Sequence, residues 1–134
     1  GRGPWENYPD RKTSCLIGRW SSKVSSQYTH YPRPQDSGNH EDVTEVTLTN
    51  KEGKGIRVTA IDRPFSFSAL YYTVDDIYKA THDCDLKPRK EIILSLDAAV
   101  LGLGNSSCGP GVLKKYAIDK QKPHTLRVRF SLIK

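Results

Sequence analysis

Two acid pairs, Glu41–Asp42 and Asp83–Asp85, are the residues whose types could do chemistry, since two suitably held carboxyl groups cleave a glycosidic bond. Both pairs sit beside turn-forming residues. An acid in such a place is ordinarily a solvated surface charge, so no catalytic residue is assigned. Cys108 has no His or other base near it in sequence, which argues against a nucleophile. Cys15, Cys84 and Cys108 make an odd count without a C-x-x-C, which fits neither a disulfide framework nor a zinc site. Reduced thiols are the plainer reading, and a Cys84–Cys108 bridge stays open. His30, His40, His82 and His124 are too widely spaced to form a metal-ligand pattern.

Two polar stretches remain. GLGNSSCGPG, residues 102–111, is rich in glycine, but no G-K-[ST] closes it and no helix follows, so it is not a phosphate loop. It reads as a long connection between strands that presents the small polar side chains of Asn105, Ser106, Ser107 and Cys108. Asn105-Ser106-Ser107 also matches a glycosylation sequon. The second stretch is YPRPQDSGNHEDV, residues 31–43. Its Gln35, Asn39 and His40, with nearby tyrosine, mix donors, acceptors and ring faces. Such a mixture suits sugar hydroxyls; a plain loop is the alternative.

The elements that must position these residues follow a period of two. Residues 43–49 and 55–61 alternate apolar and polar around the turn-rich NKEGK, which predicts a hairpin with Val46, Leu48, Ile56, Val58 and Ala60 inward. PFSFSALYY, EIILSLD, KKYAI and HTLRVRFSLI predict further strands, the last with Leu126, Val128, Phe130 and Leu132 inward. Thr73 and Asp76 have the form of a capping box and predict one short helix over 74–81. At the N-terminus, Trp5 and Tyr8 are expected to be buried in a built loop. The fold class is all-β, an antiparallel sandwich in a single domain over 1–134.

A net charge of +6 with scattered Lys and Arg, and no accompanying binding motif, gives no case for nucleic acid. No run of about 18 apolar residues is present to cross a membrane. The sequence names no compartment.

Four segments carry a resemblance, in order, from residue 1 to about 130. GRGPWENYPDRK resembles the G-x-G-P-x-E-N-Y-P-D-R segment of glycoside hydrolase family 2 β-galactosidases, and YPRPQDSGNHEDV is similar to their Y-x-x-P-Q-E-x-G-N-R-x-D-V. PFSFSALYYTVDDIYKATHDCDL resembles their P-F-x-F-S-A and the helix after it. LDAAVLGLGNSSCGPGVLKKY is similar to their L-D-x-x-x-x-G-L-G-x-x-S-C-G-P-x-x-L-x-x-Y.

The resemblance implies the later part of the last domain of a much longer enzyme, a galactose-mutarotase-like supersandwich of the small-chain type. It implies a parent that hydrolyses terminal β-galactosides with retention, using two carboxylates in a central barrel. Magnesium and sodium would be bound by other domains of that parent, leaving no cofactor here. The chain alone is then expected to be inactive. It would serve as scaffold and as a wall on the leaving-group side, through Gly104 to Gly111. Many relatives place a Trp there, where Cys108 stands in this chain, so stacking on the departing sugar should be weaker. His40 stands where the family usually has Arg. A free-standing carbohydrate-binding module and a purely structural domain are the alternatives. Strands lacking partners from the rest of the parent should make the isolated chain self-associate.

Overall fold

The computed structural model describes residues 1–104 and 109–134. Its core is two three-stranded antiparallel sheets packed face to face, the arrangement expected of a β-sandwich. One sheet is ordered β4 (Glu45–Thr49), β5 (Gly55–Ala60), β8 (Val128–Ile133). The other is ordered β3 (His40–Val43), β6 (Phe65–Leu70), β7 (Ile93–Asp97). A two-stranded ribbon, β1 (Arg2–Gly3) with β2 (Leu16–Ile17), closes the N-terminal segment.

The β4–β5 hairpin forms because its turn is chemically specified. The Asn50 side-chain oxygen accepts from the amides of Glu52 and Lys54 at 2.9 and 3.0 Å, and Gly53 takes a φ of +81°, which a Cβ would disfavour. That turn sets the register, so Val46, Val58 and Phe130 line up across the sheet, as do Leu48, Ile56 and Leu132. Val43, Val58 and Phe65 form the centre of the core, with Phe67, Leu94, Leu96, Leu126 and Val128 packed around them. Residues of both sheets are in this cluster, so burial of their facing sides is what joins the layers.

A second cluster joins Tyr28, Leu70 and Ile77, flanked by Tyr72 and Leu86. It seats the helix α1 (Val74–Lys79) on the end of β6. Both halves of the capping box are made: the Thr73 hydroxyl accepts from the Asp76 amide at 3.1 Å, and the Asp76 carboxylate accepts from the Thr73 amide at 2.8 Å. The helix ends at Lys79 rather than 81, and a short 3-10 turn follows at Asp83–Asp85.

Three expectations fail in informative ways. KKYAI is not a strand; Lys114–Tyr116 form a 3-10 turn, and the Tyr116 carbonyl accepts from Gly102 instead of from a strand neighbour. Phe130 and Leu132 lie on the apolar face as their alternation requires, yet they are 61% and 78% exposed. β8 is an edge strand of its sheet, and its Phe130–Leu132 stretch is left uncovered although Val58, directly opposite Phe130 on the central strand, is buried. Trp5 is 75% exposed while Tyr8 is buried, because the backbone around Asn7 turns the tyrosine inward.

Candidate functional site

The N-terminal segment acts as a clamp on the two polar stretches. Asn7 is wholly buried. Its amide donates to the Asn39 carbonyl at 2.7 Å, and its side-chain oxygen accepts from the Glu41 amide at 2.9 Å. Its NH2 group donates to the carbonyls of Trp5 and Arg2. One residue thereby ties the chain start to β3, with every side-chain polar atom used. Glu6 does the same for the 31–38 stretch: its carboxylate accepts from the Tyr31 hydroxyl and, at 2.8 Å, from the Gly38 amide. Gly38 takes a φ of +75°, and a Cβ there would meet the Gln27 carbonyl at 2.5 Å, so this close approach needs glycine.

Within 31–43, the structure separates the sequence-predicted residues. Gln35 is exposed. Asn39 is buried and donates to the Asn7 carbonyl and the Glu41 carboxylate at 2.8 and 2.9 Å. His40 is buried, stacked on Phe67 across the sheet at 5.2 Å, with Nδ1 3.0 Å from the Arg2 carbonyl and Nε2 2.7 Å from the Gln27 side chain. Burial lowers its pKa, outweighing the Arg2 carbonyl and Glu6, which favour the charged ring. A neutral ring satisfies both contacts if Nδ1–H donates to Arg2 and Gln27 turns its NH2 towards Nε2. The side-chain NH2 of Asn39 and both ring nitrogens of His40 are thus committed to the protein.

Of the acid pairs, Glu41 departs from the solvated reading. It is buried, and its Oε1 accepts from Asn39 and, at 2.7 Å, from the Ser66 hydroxyl. A register irregularity in β3, with Asp42 at a φ of +56°, lets consecutive residues turn inward here. Asp42 faces Arg2 at 2.5 Å and Lys12 at 3.0 Å. Burial opposes ionisation of Asp42, but those two cations win and hold its pKa below the usual carboxylate range. A cavity of about 240 Å3 opens beside this pair, lined also by Ser66, Phe65, Pro9 and the Ala98–Val100 stretch. Asp83 and Asp85 act locally. Asp83 accepts from Tyr28 and pairs with His30, while Asp85 caps the turn that begins at His82.

Residues 98–104 lead from this cavity into the glycine-rich loop, and Asp10 grips them. Its carboxylate accepts from the Leu103 amide at 3.0 Å and the Gly104 amide at 2.7 Å. Burial raises its pKa, but the Gly104 and Leu103 amides prevail and the net shift is downward. Gly104 has a φ of +57°, and a Cβ would press on the Val112 backbone at 2.8 Å. Asn105, Ser106, Ser107 and Cys108 lie outside the described residues. Among the described residues, Cys15 is a free buried thiol, Cys84 a free exposed one, and no three His, Cys, Asp or Glu side chains could hold a metal.

That brace holds a loop base and a sheet edge. Comparison with known proteins says whose. Residues 1–132 match the family model described as the β-galactosidase small chain. The chain belongs to this β-galactosidase small-chain family. A β-galactosidase of Kluyveromyces lactis is 36% identical over 122 residues, 90% of this chain and 12% of that relative. The β-galactosidase BgaC of Bifidobacterium adolescentis is 35% identical over 135 residues, 98% of this chain and 13% of the relative. That of an Arthrobacter species is 33% identical over 134 residues, again 13% of the relative. The chain therefore spans about 12–13% of the length of these curated relatives. The clamp residues had a sequence signal: Glu6, Asn7 and Asp10 all belong to the ENYPDR motif. Only folding showed what that motif grips.

Proposed function

We propose that this chain is the C-terminal part of a β-galactosidase, supplying scaffold and a wall on the leaving-group side rather than catalytic carboxylates. The observation that carries the reading is the family match over residues 1–132 at only 12–13% of the relatives' length. The Asp10 grip on Leu103 and Gly104 supports the wall, since a wall needs a fixed base. The reading is supported by the local ties of the acid pairs, since Asp42 is ion-paired with Arg2 and Lys12 and Asp83 holds Tyr28 and His30. The chain alone would not turn over galactosides. Magnesium and sodium, which the resemblance gives to the parent, would be held by its other domains. The partners of the chain are those domains, which would cover the Phe130–Leu132 end of the β4–β5–β8 face, and the β-galactoside substrate.

The test uses the full-length enzyme with Asn105 and Cys108 substituted in turn. A changed KM or aglycone preference with intact folding is expected. Unchanged kinetics across several aglycones would leave only the scaffold role. Hydrolysis of a nitrophenyl galactoside by the purified 134-residue chain would overturn the assignment of the carboxylates elsewhere.

A further inference from the structure

A second cavity, of about 150 Å3, shares no lining residue with the one beside Glu41. Its walls are Tyr28, His30, Tyr71, Tyr72 and Pro88, with Ser25 at the edge. The rings meet at angles rather than stacking. Tyr28 and Tyr72 are 5.3 Å apart at 66°, and Tyr28 and His30 are 5.2 Å apart at 86°. That geometry makes a corner of ring faces and edges, not a closed stack.

The corner is held without a ligand. Asp83 accepts from the Tyr28 hydroxyl at 3.1 Å and pairs with His30 Nδ1 at 2.6 Å, fixing two walls at once. Burial and the Asp83 carboxylate push the Tyr28 pKa up to about 12, so its hydroxyl remains a donor. On the opposite side the Arg89 amide donates to the Tyr71 carbonyl at 2.8 Å, and the Arg89 guanidinium grips Asp76 through two bonds. Pro88 is thereby set against Tyr71. Walls already in place spare a ligand the cost of ordering them.

The chemistry on offer is mixed. Ring faces suit the C–H face of a pyranose. The hydroxyls of Ser25, Tyr71 and Tyr72 make no side-chain hydrogen bond among the described residues, and can meet sugar hydroxyls as donors or acceptors. The volume is below the roughly 300–1,000 Å3 of drug-sized pockets, which leaves room for a single ring. We infer that the Tyr28–Tyr71–Tyr72 corner is a saccharide-binding site for one pyranose residue of a β-galactoside. The choice of sugar rests on the β-galactosidase reading above.

The test is a titration of the isotope-labelled 134-residue chain with methyl β-D-galactopyranoside, followed by amide shifts, with glycerol as a non-ring polyol control. Saturable shifts at Val24, Ser25, His30, Tyr71 and Tyr72 in the millimolar range are expected with the sugar and not with glycerol. Tyr72→Ala should weaken binding by about three- to tenfold, and Tyr72→Phe by less, because the ring face remains. Since Tyr72 also packs on the helix, Ser25→Phe provides a second variant. It crowds the cavity edge from an exposed position and should abolish the shifts while leaving strand resonances in place. Absence of saturation, shifts centred on 31–40 or 98–104, or full binding by Ser25→Phe would each overturn the site. Sugar binding at the tyrosines combined with unchanged kinetics in the Asn105 and Cys108 variants would reject the wall and keep this inference.

Discussion

Replacing Asp10 by Ala removes the acceptor for two backbone amides, Leu103 at 3.0 Å and Gly104 at 2.7 Å. A hydrogen bond to a charged group contributes about 1.5–3 kcal/mol when sheltered. The Gly104 bond is partly buried and is placed at the low end of that range. The Leu103 bond is exposed, and solvent reduces it to roughly 0.5 kcal/mol. Together they hold the loop base by about 2 kcal/mol, or roughly 30-fold in a local opening equilibrium. Hydrogen exchange reads this directly. Protection of the Gly104 amide should fall about 30-fold in Asp10→Ala, while amides of the β4–β5 hairpin keep theirs. Because the folded carboxyl titrates below its usual range, the tie is intact at neutral pH and through the ordinary aspartate pKa. It weakens only as pH falls through the depressed folded value. Unaltered Gly104 exchange in the variant would refute the claim that Asp10 fixes this loop.

Other outcomes follow from the same contacts. Thr73→Ala removes the hydroxyl half of the capping box, leaving the Thr73 amide bond to Asp76, and should cost about 1 kcal/mol in urea unfolding, while Thr73→Ser should be close to neutral. Phe130→Thr with Leu132→Thr strips the uncovered apolar end of the sheet. Wild-type chain should sediment as dimers or larger species and the double variant as a monomer, with stability within about 0.5 kcal/mol because both side chains are exposed. A compact wild-type monomer at high concentration would count against this. Burial keeps His40 neutral in the fold, so the unfolded chain takes up its proton first as pH drops. Stability should therefore decline below about pH 6.5, and His40→Gln should flatten that part of the profile.

Much of the architecture was legible because local chemistry and periodicity agreed. The Asn50–Gly53 turn specifies the hairpin, alternation places Val58 and Phe65 inward, and Thr73 with Asp76 announces the helix start. KKYAI misled because a short alternating run takes strand geometry only beside a free sheet edge, and Tyr116 meets the Gly102 backbone instead. Gln35, Asn39 and His40 looked equivalent by type. The fold leaves Gln35 exposed, and spends the Asn39 side-chain NH2 on Asn7 and Glu41 and the His40 ring nitrogens on Arg2 and Gln27.

The sequence by itself determined the β class, the family, and which side of each strand is apolar, since these depend on residue order and a period of two. Only the tertiary structure decided which apolar sides are covered and which polar atoms remain unspent. It buried Glu41 under Asn39 and Ser66, bared Phe130, and gathered Tyr28, Tyr71 and Tyr72 into one corner. The physical reason is that burial and hydrogen-bond satisfaction are properties of groups distant in the chain, and no local pattern records who their neighbours will be.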